Sequence, residues 1–118
     1  MNVSMIEEKS RRFAIRIVRL CQFLSDEKKE YVLSRQILRS GTSIGANLAE
    51  ARYAYSRSDF AAKQNIALKE ASETLYWLDL LYQTDYLTKD QFESVSADAE
   101  EILKLLTSSA KTLRTNPH

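Results

Sequence analysis

The sequence predicts an all-α protein folded as an antiparallel up-down-up-down four-helix bundle. Three observations lead there. Glycine and proline are scarce, with two Gly and one Pro in 118 residues, whereas a β-rich fold of this length would need many turns. Apolar residues recur at three- and four-residue steps in four separate segments. Short polar stretches carrying helix-capping residues separate those segments.

The first segment spans about residues 5–24. Ile6, Phe13, Ile17, Leu20 and Leu24 form its stripe, with Ala14 and Cys21 alongside. Ser4 followed by Glu7 has the pattern of a capping box. The polar run Ser25-Asp26-Glu27-Lys28-Lys29 then makes a turn, and Asp26 is the expected N-cap of the next helix.

The second segment spans about residues 28–53, with Leu33, Ile37, Ile44, Leu48 and Ala51 in helical register. Its middle holds Ser40-Gly41-Thr42-Ser43-Ile44-Gly45. Each interior Gly costs about 1 kcal/mol relative to Ala, so local propensity argues for a break. The apolar phase nevertheless carries across from Ile37 to Ile44, two full turns, and predicts one continuous helix. Gly41, Gly45 and Ala49 then make a row of small residues against which another helix can pack closely. A phosphate-cradling glycine loop is the alternative. It lacks the preceding strand and the GK[ST] ending such loops need.

The third segment spans about residues 59–83, with Phe60, Ala67, Ala71, Leu75, Leu78 and Tyr82 as its stripe. Ser58, or Ser56 paired with Asp59, is the expected cap. Asp85-Tyr86-Leu87-Thr88 turns the chain, and Thr88 with Gln91 repeats the capping-box pattern. The fourth segment, about 89–113, carries Phe92, Val95, Ala99, Ile102, Leu106, Ala110 and Leu113 and is the cleanest amphipathic stretch. Arg114 to His118 reads as a frayed polar tail. Four such helices with short connections make one bundle domain over 1–118.

Composition bounds the rest. Hydrophobic residues at 44% and charged residues at 28% suit a globular chain. Cys21 is the single cysteine, so no internal disulfide is possible. The N-terminus lacks the pattern of a signal peptide, and no apolar run approaches the roughly eighteen residues of a membrane span. The expected location is the cytoplasm. A net charge of +1 conceals an asymmetry. Residues 1–69 hold 13 Lys/Arg and 7 Asp/Glu, whereas residues 70–118 hold 4 and 9. The halves can attract each other within the bundle or between subunits, or the basic half can face an anionic partner.

Some apolar residues are left over after one stripe per helix is assigned to the core. Ile15 and Val18 lie off the main stripe of helix one, and Ile66, Tyr76, Trp77 and Leu80 off that of helix three. Spare apolar residues on two helices predict a homo-oligomer interface; a wide stripe in a well-packed monomer is the plainer reading.

Catalytic chemistry finds no support. The one histidine is the terminal His118, so no Glu-x-x-His di-iron pattern, zinc set or His-activated nucleophile can be built. No metal and no cofactor are expected. Glu50, Glu70 and Glu73 could in principle hold Mg²⁺ or act in acid–base chemistry. Pairing with Arg39, Arg52 or Lys69 is the simpler role for them. Arginines are the stronger lead. Arg11, Arg12, Arg16 and Arg19 cluster on helix one, and Arg35, Arg39, Arg52 and Arg57 add charge around helix two and the start of helix three. The guanidinium fork suits phosphate, so these eight are candidate contacts to an RNA or DNA backbone, read without base specificity. Tyr53 and Tyr55 could stack on unpaired bases.

The run from Ser34 to Ala51, with Ser43-Ile44-Gly45-Ala46-Asn47-Leu48-Ala49-Glu50 as its most specific part, resembles the signature of the four-helix bundle proteins encoded in intervening sequences of bacterial 23S ribosomal RNA genes. Ser58-Asp59-Phe60, Ile66-Ala67, Lys69-Glu70-Ala71, Glu73 and Trp77-Leu78 resemble that family's third helix. The likeness covers about residues 28–113. Many members have Pro where this chain has Gly45 and Gly where it has Ala51, which implies a subgroup. Gly41, Gly45, Asn47 and Glu50 are the positions that carry the family motif.

The resemblance implies an up-down bundle and a homo-oligomer, with a pentamer favoured. Related proteins accompany the reverse transcriptases of diversity-generating retroelements and bind nucleic acid and the polymerase, so it also implies RNA or DNA, or a reverse transcriptase, as partner. It supplies no catalytic residues. The expectation is a non-enzymatic oligomeric bundle serving as a nucleic-acid-binding accessory factor, with a protein–protein scaffold as the alternative.

Overall fold

A computed structural model describes residues 3–115, and it is helical nearly throughout. The helices are α1 (Val3–Asp26), α2 (Leu33–Ala51), α3 (Arg57–Gln83) and α4 (Lys89–Thr115). Each packs on its neighbours in the order α1–α2–α3–α4–α1, so the four stand at the corners of a square and run alternately up and down. The bundle measures 49 × 22 × 19 Å. None of its described helices is long and apolar enough to cross a membrane.

Residues from every stripe meet in one core. Phe13, Ile17 and Leu24 of α1, Ile37, Ile44 and Leu48 of α2, Leu78 of α3, and Ala99, Ile102 and Leu106 of α4 are all essentially inaccessible to solvent. Leu81, three residues after Leu78, also has zero exposure, although the expected stripe passes through Tyr82 instead. The expected stripe residues Phe60, Leu75 and Tyr82 are half-buried at its flanks, where the Tyr82 ring stacks on Phe92 at 4.5 Å.

α2 is unbroken through its glycines. Gly41 faces Ile17 so closely that a Cβ would lie 2.8 Å from Ile17 Cγ1, which only a hydrogen in that place allows. At Gly45 a Cβ would stand 3.5 Å from the Ser10 carbonyl oxygen, an ordinary contact. Polar pairs sit in the same core. The Thr74 hydroxyl donates to the Glu70 carbonyl at 2.7 Å and lies 2.9 Å from the Ser40 hydroxyl. Ser109 donates to buried Gln64 at 3.0 Å.

The first turn differs from expectation. α2 begins at Leu33 rather than Lys28, and Asp26 is the last residue of α1 rather than a cap. Lys29 takes a left-handed conformation at φ 55°, and Glu30 N–H bonds back to the Leu24 carbonyl at 2.9 Å, closing the end of α1. This turns Glu30 inward. Its carboxylate accepts the backbone N–H groups of Val32, Leu33 and Ser34 at 3.2, 3.0 and 2.8 Å. One side chain therefore satisfies three of the four orphan donors of α2, a role that cap rules based on Ser, Thr, Asp and Asn do not assign to glutamate.

The later caps follow the sequence. Ser56 Oγ accepts from Asp59 N–H at 3.1 Å, while Asp59 accepts from Tyr55 N–H. Thr88 and Gln91 exchange bonds at 2.9 and 3.2 Å. Ser4, expected to precede α1, lies within its first turn, and its side chain is outside the described residues. α4 extends to Thr115, so Arg114 belongs to the helix rather than to a tail. The Leu113 side chain and His118 are outside the described residues.

Candidate functional site

Charge is the first thing the bundle organises. Arg16 of α1 reaches Asp98 of α4 at 2.6 Å and bonds Ser94 through its carbonyl and hydroxyl oxygens. Arg39 of α2 spans Glu70, at 2.8 Å, and Glu73 of α3. Arg52 meets Glu7 of α1 at 2.6 Å, and Lys63 of α3 meets Glu50 of α2 at 2.8 Å. Lys9 meets Glu101 across the α1–α4 seam, and Arg12 pairs with Glu8 along α1. All three carboxylates between α2 and α3 that drew attention in the sequence, Glu50, Glu70 and Glu73, are thus held by cations. The halves of opposite charge attract each other within one protomer, as their arithmetic allows.

The most connected cluster centres on Arg39. Its carboxylate partner Glu73 also accepts the Trp77 indole N–H at 2.9 Å. That bond, and then Arg39, hold Glu73 below the usual carboxylate range, while Glu73 and Glu70 raise Arg39 further. Trp77 packs half-buried against the core with its ring edge-on to Tyr76 at 5.1 Å. Its N–H is therefore satisfied by the protein rather than by water.

The eight candidate arginines do not converge on one patch. Arg16, Arg39 and Arg52 point into three different seams, and Arg12 is tied to its own helix. Arg57 opens α3 and has an interaction of its own. Arg11, Arg19 and Arg35 are exposed and make no ion pair among the described residues. Arg11 stands at the α1–α2 seam, whereas Arg19 lies towards α4. Tyr53 and Tyr55, at the opposite end from the Glu30 turn, are 79% and 98% exposed.

The spare apolar residues remain outside the core. Ile15, Val18, Ile66 and Tyr76 are 46%, 40%, 42% and 57% exposed, and Leu80 is half-buried. Leu38 of α2, which the sequence places in no stripe, joins them at the surface.

The family-motif residues make contacts within the protomer. Gly41 admits Ile17, and Asn47 donates to the Ser43 carbonyl one turn earlier at 2.8 Å. Glu50 holds Lys63.

Two surface hollows stand out. One, about 590 Å³, lies between α1 and α4 over Leu20, Phe23 and Val95, with Arg19 and Asp90 at its edge. The other, about 430 Å³, lies between α1 and α2, where Ala14, Gly45, Ala46 and Ala49 leave little side chain to fill it. Arg11 and Arg52 stand at its rim with Glu7 and Glu8. Cys21 is buried and donates to the Ser34 carbonyl at 3.2 Å. Burial, and then the Glu30 charge, push its thiol up to about 11, so it is a core residue rather than a nucleophile. Among the described residues no group of three or more His, Cys, Asp or Glu could hold a metal ion.

Comparison with known proteins agrees with this fold. A crystal structure of a protein of unknown function from the S23 ribosomal protein family of Bacteroides thetaiotaomicron is 58% identical and superposes with a TM-score of 0.93. The match covers 95% of this chain and all of that one. No curated protein matches. The family described as 23S rRNA-intervening sequence protein matches residues 4–108. Neither finding indicates an enzyme family. With nearly the whole bundle inside the match, the chain belongs to the 23S rRNA-intervening sequence protein family.

Proposed function

We propose that this protein is a non-enzymatic homo-oligomer that acts through the surface its assembly creates. The observation that carries this reading is the group of apolar residues outside a completed core. Ile15, Val18, Ile66 and Tyr76 each stay at least 40% exposed although every helix already supplies a full core stripe. Leaving such groups in water forgoes about 25 cal/mol for each Å² that association would cover. Glu50, Glu70 and Glu73 are occupied by Lys63 and Arg39, which removes the carboxylates that acid–base chemistry would have used.

A second function, binding a nucleic-acid backbone without sequence specificity, draws support from Arg11, Arg19 and Arg35 together with exposed Tyr53 and Tyr55. Phosphate contacts need cations that are not already committed, and stacking needs open rings.

One experiment addresses both. Size-exclusion light scattering at two salt concentrations, with and without structured ribosomal RNA fragments, is expected to show an oligomer that takes up RNA at low salt and releases it at high salt. A monomer would overturn the assembly reading. An oligomer with no RNA uptake at low salt would overturn nucleic-acid binding and leave a protein scaffold.

A further inference from the structure

Of the four neighbouring helix pairs, α1 and α4 approach each other least closely. Lys9–Glu101 and Arg16–Asp98 span their seam. Past Arg16, towards the end of α1, no ion pair crosses it among the described residues. The 590 Å³ hollow opens there, within the range of about 300–1,000 Å³ usual for small-molecule sites. Its floor is apolar: Val95 is buried, and Leu20 and Phe23 are half-buried. Its charged groups fall into two kinds. Arg16 is committed to Asp98 and Ser94. Arg19 on the α1 wall and Asp90 on the α4 wall are exposed and make no ion pair among the described residues, with each other or with any other group. Asp90 stands in the first turn of α4, where its charge complements the helix dipole. Lys28 lies over the Phe23 ring at 5.9 Å, and Lys89 precedes Asp90 in the chain; neither lines the hollow.

We propose that this hollow binds a small zwitterion with an apolar body, a hydrophobic α-amino acid. Its carboxylate meets Arg19, its ammonium meets Asp90, and its side chain lies on Leu20, Phe23 and Val95. The inference is independent of the assembly reading. Charge decides the class of ligand. A simple organic acid would gain Arg19 but face the Asp90 carboxylate, and a simple amine would gain Asp90 but face Arg19. A zwitterion satisfies both, and the guanidinium fork suits a carboxylate. The apolar floor decides the side chain, since a ligand without one would leave Leu20 and Phe23 as wet as before. Ile15, one of the surplus apolar residues, lines the same hollow and is covered by the same occupant.

Isothermal titration calorimetry of the full chain tests this with L-phenylalanine as the probe, which should bind saturably at one site per protomer. Phenylacetate lacks the ammonium, phenethylamine lacks the carboxylate and glycine lacks the apolar body; each should bind more weakly. Arg19→Ala and Asp90→Asn change exposed positions, so the fold should hold, as circular dichroism would verify. Arg19→Gln and Asp90→Ala replace them if either misfolds. Each variant should weaken L-phenylalanine binding about two- to fivefold, the scale of a solvent-exposed ion pair. Arg19→Ala should also erase the advantage of L-phenylalanine over phenethylamine, and Asp90→Asn its advantage over phenylacetate. A merely structural loss would weaken every probe alike. No saturable heat with L-phenylalanine, binding that neither variant alters, or tighter binding of phenylacetate than of L-phenylalanine would each overturn the proposal. Light scattering on the same samples reads assembly separately, so failure here leaves that reading standing.

Discussion

Gly41 of α2 lies against Ile17 of α1 with no room for a methyl group between them. A Cβ at Gly41 would sit 2.8 and 2.9 Å from the two γ carbons of Ile17, and Ile17 has zero exposure, so it has nowhere to retreat. Gly41→Ala should therefore destabilise the protein by about 1–3 kcal/mol through overpacking, outweighing the gain of about 1 kcal/mol in helix propensity. Gly45→Ala meets only the ordinary 3.5 Å contact and should be neutral or stabilising by up to about 1 kcal/mol. Chemical denaturation of the two variants side by side checks the opposite signs.

The turn before α2 should be sensitive in two directions. Glu30→Ala removes the acceptor of three backbone N–H groups and should cost about 1–2 kcal/mol, the scale of a lost cap. Lys29→Gly relieves a non-glycine residue at φ 55° and should add about 1 kcal/mol. Thermal melts of both variants would show the shifts in opposite directions.

The Arg39–Glu73–Trp77 cluster predicts a pH response. Glu73 is held below the usual carboxylate range, so its contribution is fully present above the unfolded value, near 4.3. That contribution is lost as pH falls through the lower folded value. Trp77 fluorescence should hold steady from neutral pH to about 5 and change only below about 4. Because the cluster is partly solvated, Glu73→Gln should cost no more than about 1 kcal/mol, and it should remove the acid-side fluorescence change.

Cys21 should resist modification. Its thiol lies at about 11 against an ordinary 9.0, which alone lowers the thiolate fraction about a hundredfold near neutral pH. Thiol titration should be slower than that of the unfolded chain by at least that factor.

If RNA binds, its dependence on salt identifies the contacts. Replacing Arg11, Arg19 and Arg35 together by Ala should flatten the log–log salt slope by up to about three units, roughly one per phosphate contact. Replacing Arg39, which is committed to Glu70 and Glu73, should leave the slope unchanged.

Most of the fold was legible in the sequence because it rests on periodicity. The phase from Ile37 to Ile44 carried α2 through two glycines where propensity alone would have broken it, and Ser56–Asp59 and Thr88–Gln91 marked the starts of α3 and α4. The start of α2 was not legible. Its cap is a glutamate that becomes a cap only after Lys29 turns left-handed, and no short-range pattern encodes that. Leu81 was missed although it follows Leu78 by three residues, because Tyr82, one residue further on, continued the stripe at a four-residue step. The arginines were legible as a set but not as a surface. Whether Arg16 or Arg39 faces solvent or a carboxylate depends on which helix stands beside it, and only the tertiary arrangement decides that. Ile15, Val18, Ile66 and Tyr76 were recognised as surplus because a stripe has finite width.

The central claim is that this protomer is built to assemble, and sedimentation velocity of the full chain over a range of concentrations tests it most directly. The expected result is a species whose mass is a whole-number multiple of the protomer and whose population grows with concentration. A single protomer mass at every concentration would contradict it.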